Sequence, residues 1–275
     1  MQDLWNWVWG ATAVFFVMEL AAGRYRGIYN RDELLVTGLC ALLGLTVRPL
    51  LAGLVALFIG VVFPAGRGAL AEVPFWLFLP VIILVAEFGG YWMHRLAHRA
   101  ERHRYFDWLW RLHRTHHTAN YMNVLLQFRV NFAWALVSGL TWVLTAAFYL
   151  GQELAASVAG AMFALYSIVT HCDFRWDDAI RRHRFLGPLF RGLEHIIVSP
   201  GVHHTHHGYG RDGATYCNFG NMLSVYDWLF GTLKIPRGRP GHYGLPRPRV
   251  HWAEEVFFPL FWKKAPAVAK VEPER

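Results

Sequence analysis

The chain has 275 residues, 55% of them hydrophobic, with 13 Trp, 20 Phe and a mean hydropathy of +0.23, which excludes an ordinary soluble domain of this size. The net charge of +8 comes from 23 Arg and only 4 Lys, and the basic and apolar stretches occupy separate parts of the sequence. Three cysteines (Cys40, Cys172, Cys217) without a CxxC spacing exclude a disulfide framework and read as buried or incidental thiols.

The first apolar stretch, Leu4 to Ala22, follows Asp3 and no basic residue, so it reads as a membrane span and not as a cleaved leader. Leu34 to Phe63 exceeds the roughly 20 residues a helix needs to cross a bilayer. Arg48-Pro49 interrupts it, so it is either one kinked, partly re-entrant crossing or a hairpin that crosses twice. Pro74 to Tyr91, Phe132 to Leu150 and Leu154 to Thr170 are three further spans, the last two joined by the short turn Gly151-Gln152-Glu153. Arg24, Arg26 and Arg31 lie between the first two stretches, and the 94–130 segment and the C-terminal region are rich in Arg. The loop after the second stretch has only Arg67, and the turn at Gly151 has no basic residue. A single crossing by the second stretch puts every basic segment on the cytoplasmic side and the N-terminus outside.

The expected fold is therefore an all-α integral membrane protein with about five transmembrane helices and a cytoplasmic helical cap. The expected organisation is 1–73 as N-terminal membrane helices, 74–235 as the catalytic domain with two spans within 132–170, and 236–275 as a partly amphipathic tail. Within that tail, Val250 to Lys264 is dense in aromatics and ends in two lysines. It lies in the membrane interface or packs back on the rest of the chain.

Thirteen of the fifteen histidines fall between His94 and His207. His94 and His98 read H-R-L-A-H; His113, His116 and His117 read H-R-T-H-H; His203, His206 and His207 read H-H-T-H-H, with His204 as an extra member. His171 stands alone after the last apolar run. Residues three or four apart share a helix face, so each cluster aims two or three imidazoles at one point. Imidazole suits iron, zinc, copper and nickel, and there are more nitrogens here than one metal takes, which points to a pair of metals. In the preferred topology all the clusters reach one membrane face.

Glu87, Tyr91, His94 and His98 are spaced 4, 3 and 4 apart and share one helical face. A carboxylate inside an apolar span is costly and usually faces a site. Glu87 is thus a metal ligand, a partner of the ligands, or a structural group that is protonated or paired with Arg. Glu19 reads as structural, and His103, His242 and His251 as solvated. The Arg runs at 99–104 and 181–184 fit anionic lipid at the membrane edge better than nucleic acid.

These boxes resemble the HxxxH, HxxHH and HxxHH boxes of the fatty acid hydroxylase/sterol desaturase superfamily. The flanks agree: Tyr91-Trp92-Met93-His94-Arg95, Trp110-Arg111-Leu112-His113, Met122-Asn123-Val124 with Arg129, Ser199-Pro200, Asn218-Phe219-Gly220 and Asp227-Trp228-Leu229-Phe230-Gly231-Thr232. The resemblance covers about residues 74 to 235. It implies a membrane-bound non-haem di-iron oxygenase that hydroxylates or desaturates lipid C–H bonds. Its metal ligands would be His94, His98, His113, His116, His117, His171, His203, His206 and His207. Glu87, Asn123 and Asp227 would serve in catalysis, and no organic cofactor site is implied.

Two departures stand out: Glu87 replaces the usual Asp, and an Arg-rich insert around Asp177 to Arg184 lengthens the stretch from His171 to His203. His195 is therefore a second candidate for the place given to His171. Asp107, Asp173 and Glu194 join Glu87 and Asp227 as acceptors able to orient imidazoles. Oxidising an unactivated C–H bond with O2 needs a redox metal, which zinc is not, although zinc can occupy the same ligands.

The expected cofactor is two iron ions. The expected partners are a lipid, the membrane and a separate electron-transfer protein (a reductase, a ferredoxin or a cytochrome b5-like protein), with no nucleic acid. The expected location is a bacterial inner membrane with the site facing the cytoplasm. The competing readings are a histidine-rich metal transporter or metal-binding protein, which would place ligands mid-membrane, and a haem cytochrome, which would need paired axial histidines within the spans.

Overall fold

The computed structural model describes residues 2–246 and 249–261. Four helices are long and apolar enough to cross a membrane: α1 (Gln2–Ala21), α2 (Arg31–Val62), α3 (Phe75–Ala100) and α6 (Glu153–His171). Asn30 starts α2 by accepting the Glu33 amide at 3.0 Å, with Asp32 and Glu33 in the positively polarised first turn. The helix then runs 32 residues straight through Pro49. At about 1.5 Å per residue it is ~48 Å long, more than a bilayer core, and being continuous it is neither a hairpin nor re-entrant. Leu50, Leu54, Leu57 and Val61 of α2 are exposed on one helical stripe, an apolar surface suited to lipid rather than water.

The span expected over Phe132–Leu150 is not one helix. Phe132–Leu136 is a 3-10 turn, and only α5 (Gly139–Tyr149) is α-helical. Its 11 residues measure ~16 Å, about half a bilayer core. The break has a local cause. Asn131 accepts the Ala133 amide at 2.9 Å and Ser138 accepts the Thr141 amide, so side chains satisfy backbone donors that a continuous helix would have satisfied. Its position is set by packing: a Cβ on Gly139 would stand 2.2 Å from the Gly89 backbone, so α5 can begin only where two glycines bring it against α3. Hydropathy marks this stretch as apolar but does not register the break.

Contacts fix which helix ends share a level. The Glu19 carboxylate at the end of α1 accepts the amides of Val124 and Asp173, and Glu33 at the start of α2 meets Arg129 and Arg249. At the other end, Tyr149 donates to the Phe63 carbonyl and Gln152 to those of Leu70 and Val73. The chain thus passes along the bundle axis five times, and the segment 118–150 makes one pass without a spanning helix.

The remaining elements cap the first end: α4 (Asp107–His117), α7 (Trp176–Arg182), α8 (Leu186–Leu193), α9 (Pro200–His207), α10 (Val225–Leu229), α11 (Trp252–Phe257) and the antiparallel pair β1 (Gly208–Tyr209) and β2 (His242–Tyr243). The described part of the aromatic tail packs back on the chain: Val256 joins Val36 and Cys40 of α2 in a buried cluster, and Glu255 reaches Arg129. Residues 262–264 of that tail lie outside the described residues. Small side chains on α6 (Ala155, Ala156, Ala159, Ala161) are all buried, which draws α6 close to α1 and α3.

Candidate metal centre

Helix periodicity sorts the imidazoles. Positions four apart lie on nearly the same face, whereas neighbours diverge by about 100°. On α4, His113 and His117 therefore point one way and His116 another; on α9, His203 and His207 point one way and His206 another. The packed structure makes two groups from these faces. His94, His98, His113, His117 and His206 form the first, and His116, His171, His203 and His207 the second, each with its ligand nitrogens within 4.8 Å of one another. Every one of the nine is buried. The groups adjoin, with the His117 and His207 rings stacked at 4.5 Å between centroids.

The geometry fits a metal in each group. In the first, the His117 Nε2 lies 3.2 Å from that of His98 and 2.9 Å from that of His113. In the second, the successive His116, His171, His203 and His207 Nε2 atoms lie 3.2, 3.0 and 3.1 Å apart. Two ligands about 2.1 Å from one ion stand ~3.0–3.4 Å apart. Three rings have their tautomer set by a backbone carbonyl: Nδ1–H donates from His94 to Phe219 at 2.8 Å, from His206 to Cys217 at 2.7 Å and from His171 to Ser167 at 2.8 Å. That frees each Nε2 as a lone-pair donor, and the Nε2 atoms of His94 and His206 are buried with no hydrogen-bond partner. Burial, then the neighbouring imidazoles, push His113, His116, His117, His203 and His207 well below the ordinary histidine range, and burial with His94 does the same to His206. All are neutral, the form that binds metal.

The other histidines stand apart from these groups. His204 is buried, but both nitrogens are committed, to the Tyr243 hydroxyl at 2.9 Å and the Cys172 carbonyl at 3.2 Å. His195 donates to the Arg191 carbonyl and lies against Trp228. His103 and His242 are exposed.

None of the three residues expected to act in catalysis faces the imidazole nitrogens. Glu87 is fully buried and accepts the amides of Asn221 at 2.5 Å and Met222 at 3.2 Å. Asp227 accepts the amides of Phe219 at 2.8 Å and Gly220 at 2.7 Å, with the Thr232 hydroxyl at 2.7 Å. Burial pushes the Asp227 carboxyl up against these three bonds. Asn123 caps the Val124–Phe128 3-10 turn and bonds to Tyr29. Glu87 and Asp227 thus both hold the loop 217–222, whose carbonyls at Cys217 and Phe219 orient His206 and His94. Asn218 completes the device: it sits at φ 59°, and its side chain ties Val202 to Lys234. Carbonyl acceptors leave no trace in a sequence, but an Asn before Phe-Gly is a signal for such a left-handed corner.

The Arg-rich insert has a structural role. Arg181 is buried among Asp177, Asp178 and Glu194, and Arg239 also pairs with Asp177. Burial alone would raise the Asp177 carboxyl, but Arg239 and Arg181 hold it below its usual range. This network grips the start of α9: Asp177 accepts the Gly201 amide at 2.6 Å, and Arg181 donates to the capping Ser199 hydroxyl at 2.8 Å. Of the other proposed acceptors, Asp107 pairs with Arg111 and Asp173 with Arg24.

Asp227→Ala and Glu87→Gln are expected to weaken metal binding by about 10–100-fold, as loss of groups behind the ligands typically does. Competition with a graded chelator measures this; wild-type affinity in both variants would mean that the loop does not position the imidazoles.

Comparison with known proteins covers the same part of the chain. The family model for fatty acid hydroxylase matches residues 79–232. Alkylglycerol monooxygenase of Danio rerio is 28% identical over 195 residues, 66% of this chain and 36% of that protein. An ornithine lipid hydroxylase of Rhizobium tropici is 30% identical over 156 residues, 56% of this chain and 41% of its own length. A Delta(7)-sterol-C5(6)-desaturase of Nicotiana tabacum is 26% identical over 161 residues, 58% of this chain and 51% of its own. The matches thus span about a third to a half of these relatives. No solved structure matches the chain.

Proposed function

The chain belongs to the fatty acid hydroxylase family, and from that premise we propose that it is a membrane-bound di-iron oxygenase that hydroxylates or desaturates a lipid. The observation that carries this is the pair of buried imidazole groups, five and four histidines, with nitrogens converging at ligand spacing. Carboxylate-rich di-iron sites in helix bundles differ in their ligands; here nitrogen ligation would come from all nine histidines. Iron bound there supplies the redox chemistry that O2 activation requires, and zinc can take its place on overexpression.

The chain's own groups do the rest. Loop 217–222 fixes His94 and His206, the Asp177–Arg181–Glu194 network fixes α9, and the nine imidazoles themselves are buried. Hydroxylation puts one oxygen atom into the C–H bond, and two electrons and two protons reduce the other to water. Desaturation removes two hydrogens and uses the same electrons. The electrons would come from a separate protein meeting the capped end of the bundle; the arginine distribution supports a cytoplasmic position for that end, in what would be a bacterial inner membrane. The lipid would enter from the bilayer between the helices, since extraction costs about 0.8 kcal/mol per CH2.

The expected metal content is about two ions per chain, iron in the active form. Elemental analysis and Mössbauer spectroscopy of protein from iron-supplemented cells measure it; one metal per chain or haem absorbance would refute the reading. Reductant-dependent transfer of label from 18O2 into a lipid identifies hydroxylation, and loss of two hydrogens without label identifies desaturation. A cysteine introduced at Asn120 should react only from the cytoplasmic side of sealed vesicles.

A further inference from the structure

The histidine groups border a cavity of about 390 Å³, lined by five of the nine imidazoles, among them His94 and His171. The same cavity is lined by Arg48 of α2 and by Gln127. An arginine this far along a membrane helix is costly and is kept where it faces a cavity or a partner. Arg48 has its guanidinium folded back beside Gly44, where a Cβ would meet Nη2 at 3.0 Å. Its Nη2 donates to the Val130 carbonyl at 3.2 Å, but its Nε is buried without a hydrogen-bond partner, and so is the Gln127 Nε2. No carboxylate of the described residues pairs with Arg48. A positive charge and two residues that each keep an unmet buried donor therefore line one cavity, and their complement is an anionic acceptor of carboxylate or phosphate type.

The cavity has the size of a pocket for a head group and a few carbons, too small for a whole lipid. Phe128, next to Gln127, also borders a second hollow of about 610 Å³ between α1 and α2, lined by apolar and aromatic residues such as Trp9, Phe16 and Leu45. Phe128 thus stands between the two hollows, and the second has the apolar lining that a lipid tail requires.

We propose that Arg48 and Gln127 anchor the acidic head group of the lipid substrate inside the bundle, in the cavity that the histidines share. This rests on the oxygenase reading for the word substrate, but the binding site itself does not. It also sets regiochemistry: the oxidised carbon lies within a few bonds of the head, not far down the chain.

The test is equilibrium binding of radiolabelled decanoate, decyl phosphate and decanol to the immobilised, metal-loaded protein in maltoside at about pH 8, without reductant. Wild type should hold one or both anions at least about tenfold more tightly than decanol, the worth of one charge-assisted hydrogen bond. Whichever anion is preferred names the head group. Arg48→Met should abolish the preference, Arg48→Lys should keep part of it, and Gln127→Leu should lower anion affinity severalfold, all with unchanged metal content. Equal affinity of the wild type for all three ligands overturns the proposal. So does an undiminished preference in both Arg48→Met and Gln127→Leu. If Arg48→Met does not fold, the wild-type preference and Gln127→Leu still decide. A preference for anions in a protein that oxidises no lipid leaves the anchor standing and removes the oxygenase reading; lipid oxidation without any preference does the reverse.

Discussion

His94→Ala, His117→Ala and His206→Ala should each lose bound metal and reduce turnover by more than the roughly 100-fold that an outer partner costs. All three rings belong to the five-histidine group, and each deletion leaves the other four imidazoles buried around an incomplete site. His117 is the most demanding of the three, because its Nε2 lies closest to both His98 and His113 and its ring stacks on His207 of the second group. Its loss should disturb both ions. The controls are chosen by structure. His103→Ala and His242→Ala remove exposed rings and should change neither metal content nor activity. His204→Gln tests a buried histidine in the same H-H-T-H-H run whose nitrogens are both spent on Tyr243 and Cys172; it should keep its metal. Metal analysis beside a lipid-product assay reads all six variants. Equal losses in the two sets would mean that the convergence of nitrogens is packing and not a site.

Arg129→Ala should be the most destabilising single change in the cap. Arg129 is completely buried and donates to Glu33, to Glu255 at 2.8 Å, to the Thr115 carbonyl at 3.0 Å and to the Thr118 hydroxyl at 2.8 Å. It thereby joins α2, the turn after α4 and α11. Removing it leaves two buried carboxylates with Arg249 as their shared partner. Breaking a buried pair from one side costs about 3–5 kcal/mol, because a charge is stranded without its counter-ion. For a chain of this size that is a fall of roughly 6–20 °C in the unfolding midpoint in detergent. Metal retention should fall too, since Thr115 lies between His113 and His116 on α4. Arg182→Ala, at an exposed site, should leave the midpoint unchanged. A midpoint within about 2 °C of wild type for Arg129→Ala would show that the network does not hold the cap.

The spacing of histidines in the sequence was enough to mark eight of the nine imidazoles that come together and to suggest two ions, because helix periodicity is local and a face can be counted from i, i+3 and i+4; His171 as the ninth, and the passing over of His204, came from the family resemblance. The apolar stretches likewise located α1, α2 and α6 within a few residues, and the start of α3, which runs nine residues past Tyr91 to carry His94 and His98. Spacing could not say which helix faces meet to form each group, or that His171 and not His195 completes the second. Those outcomes depend on how α3, α4, α6 and α9 face one another across the chain, which no local pattern encodes. The same limit explains the carboxylates. Glu87 was legible as unusual and Asp227 as part of a family motif, but they act on backbone amides of a loop, and backbone groups are identical in every sequence. Arg181 looked like part of a basic run at the membrane edge and Arg48 like an interruption of an apolar stretch. Tertiary packing put the first among buried carboxylates and left the second facing the histidine cavity without one, and a charge takes its meaning from what surrounds it once water is gone.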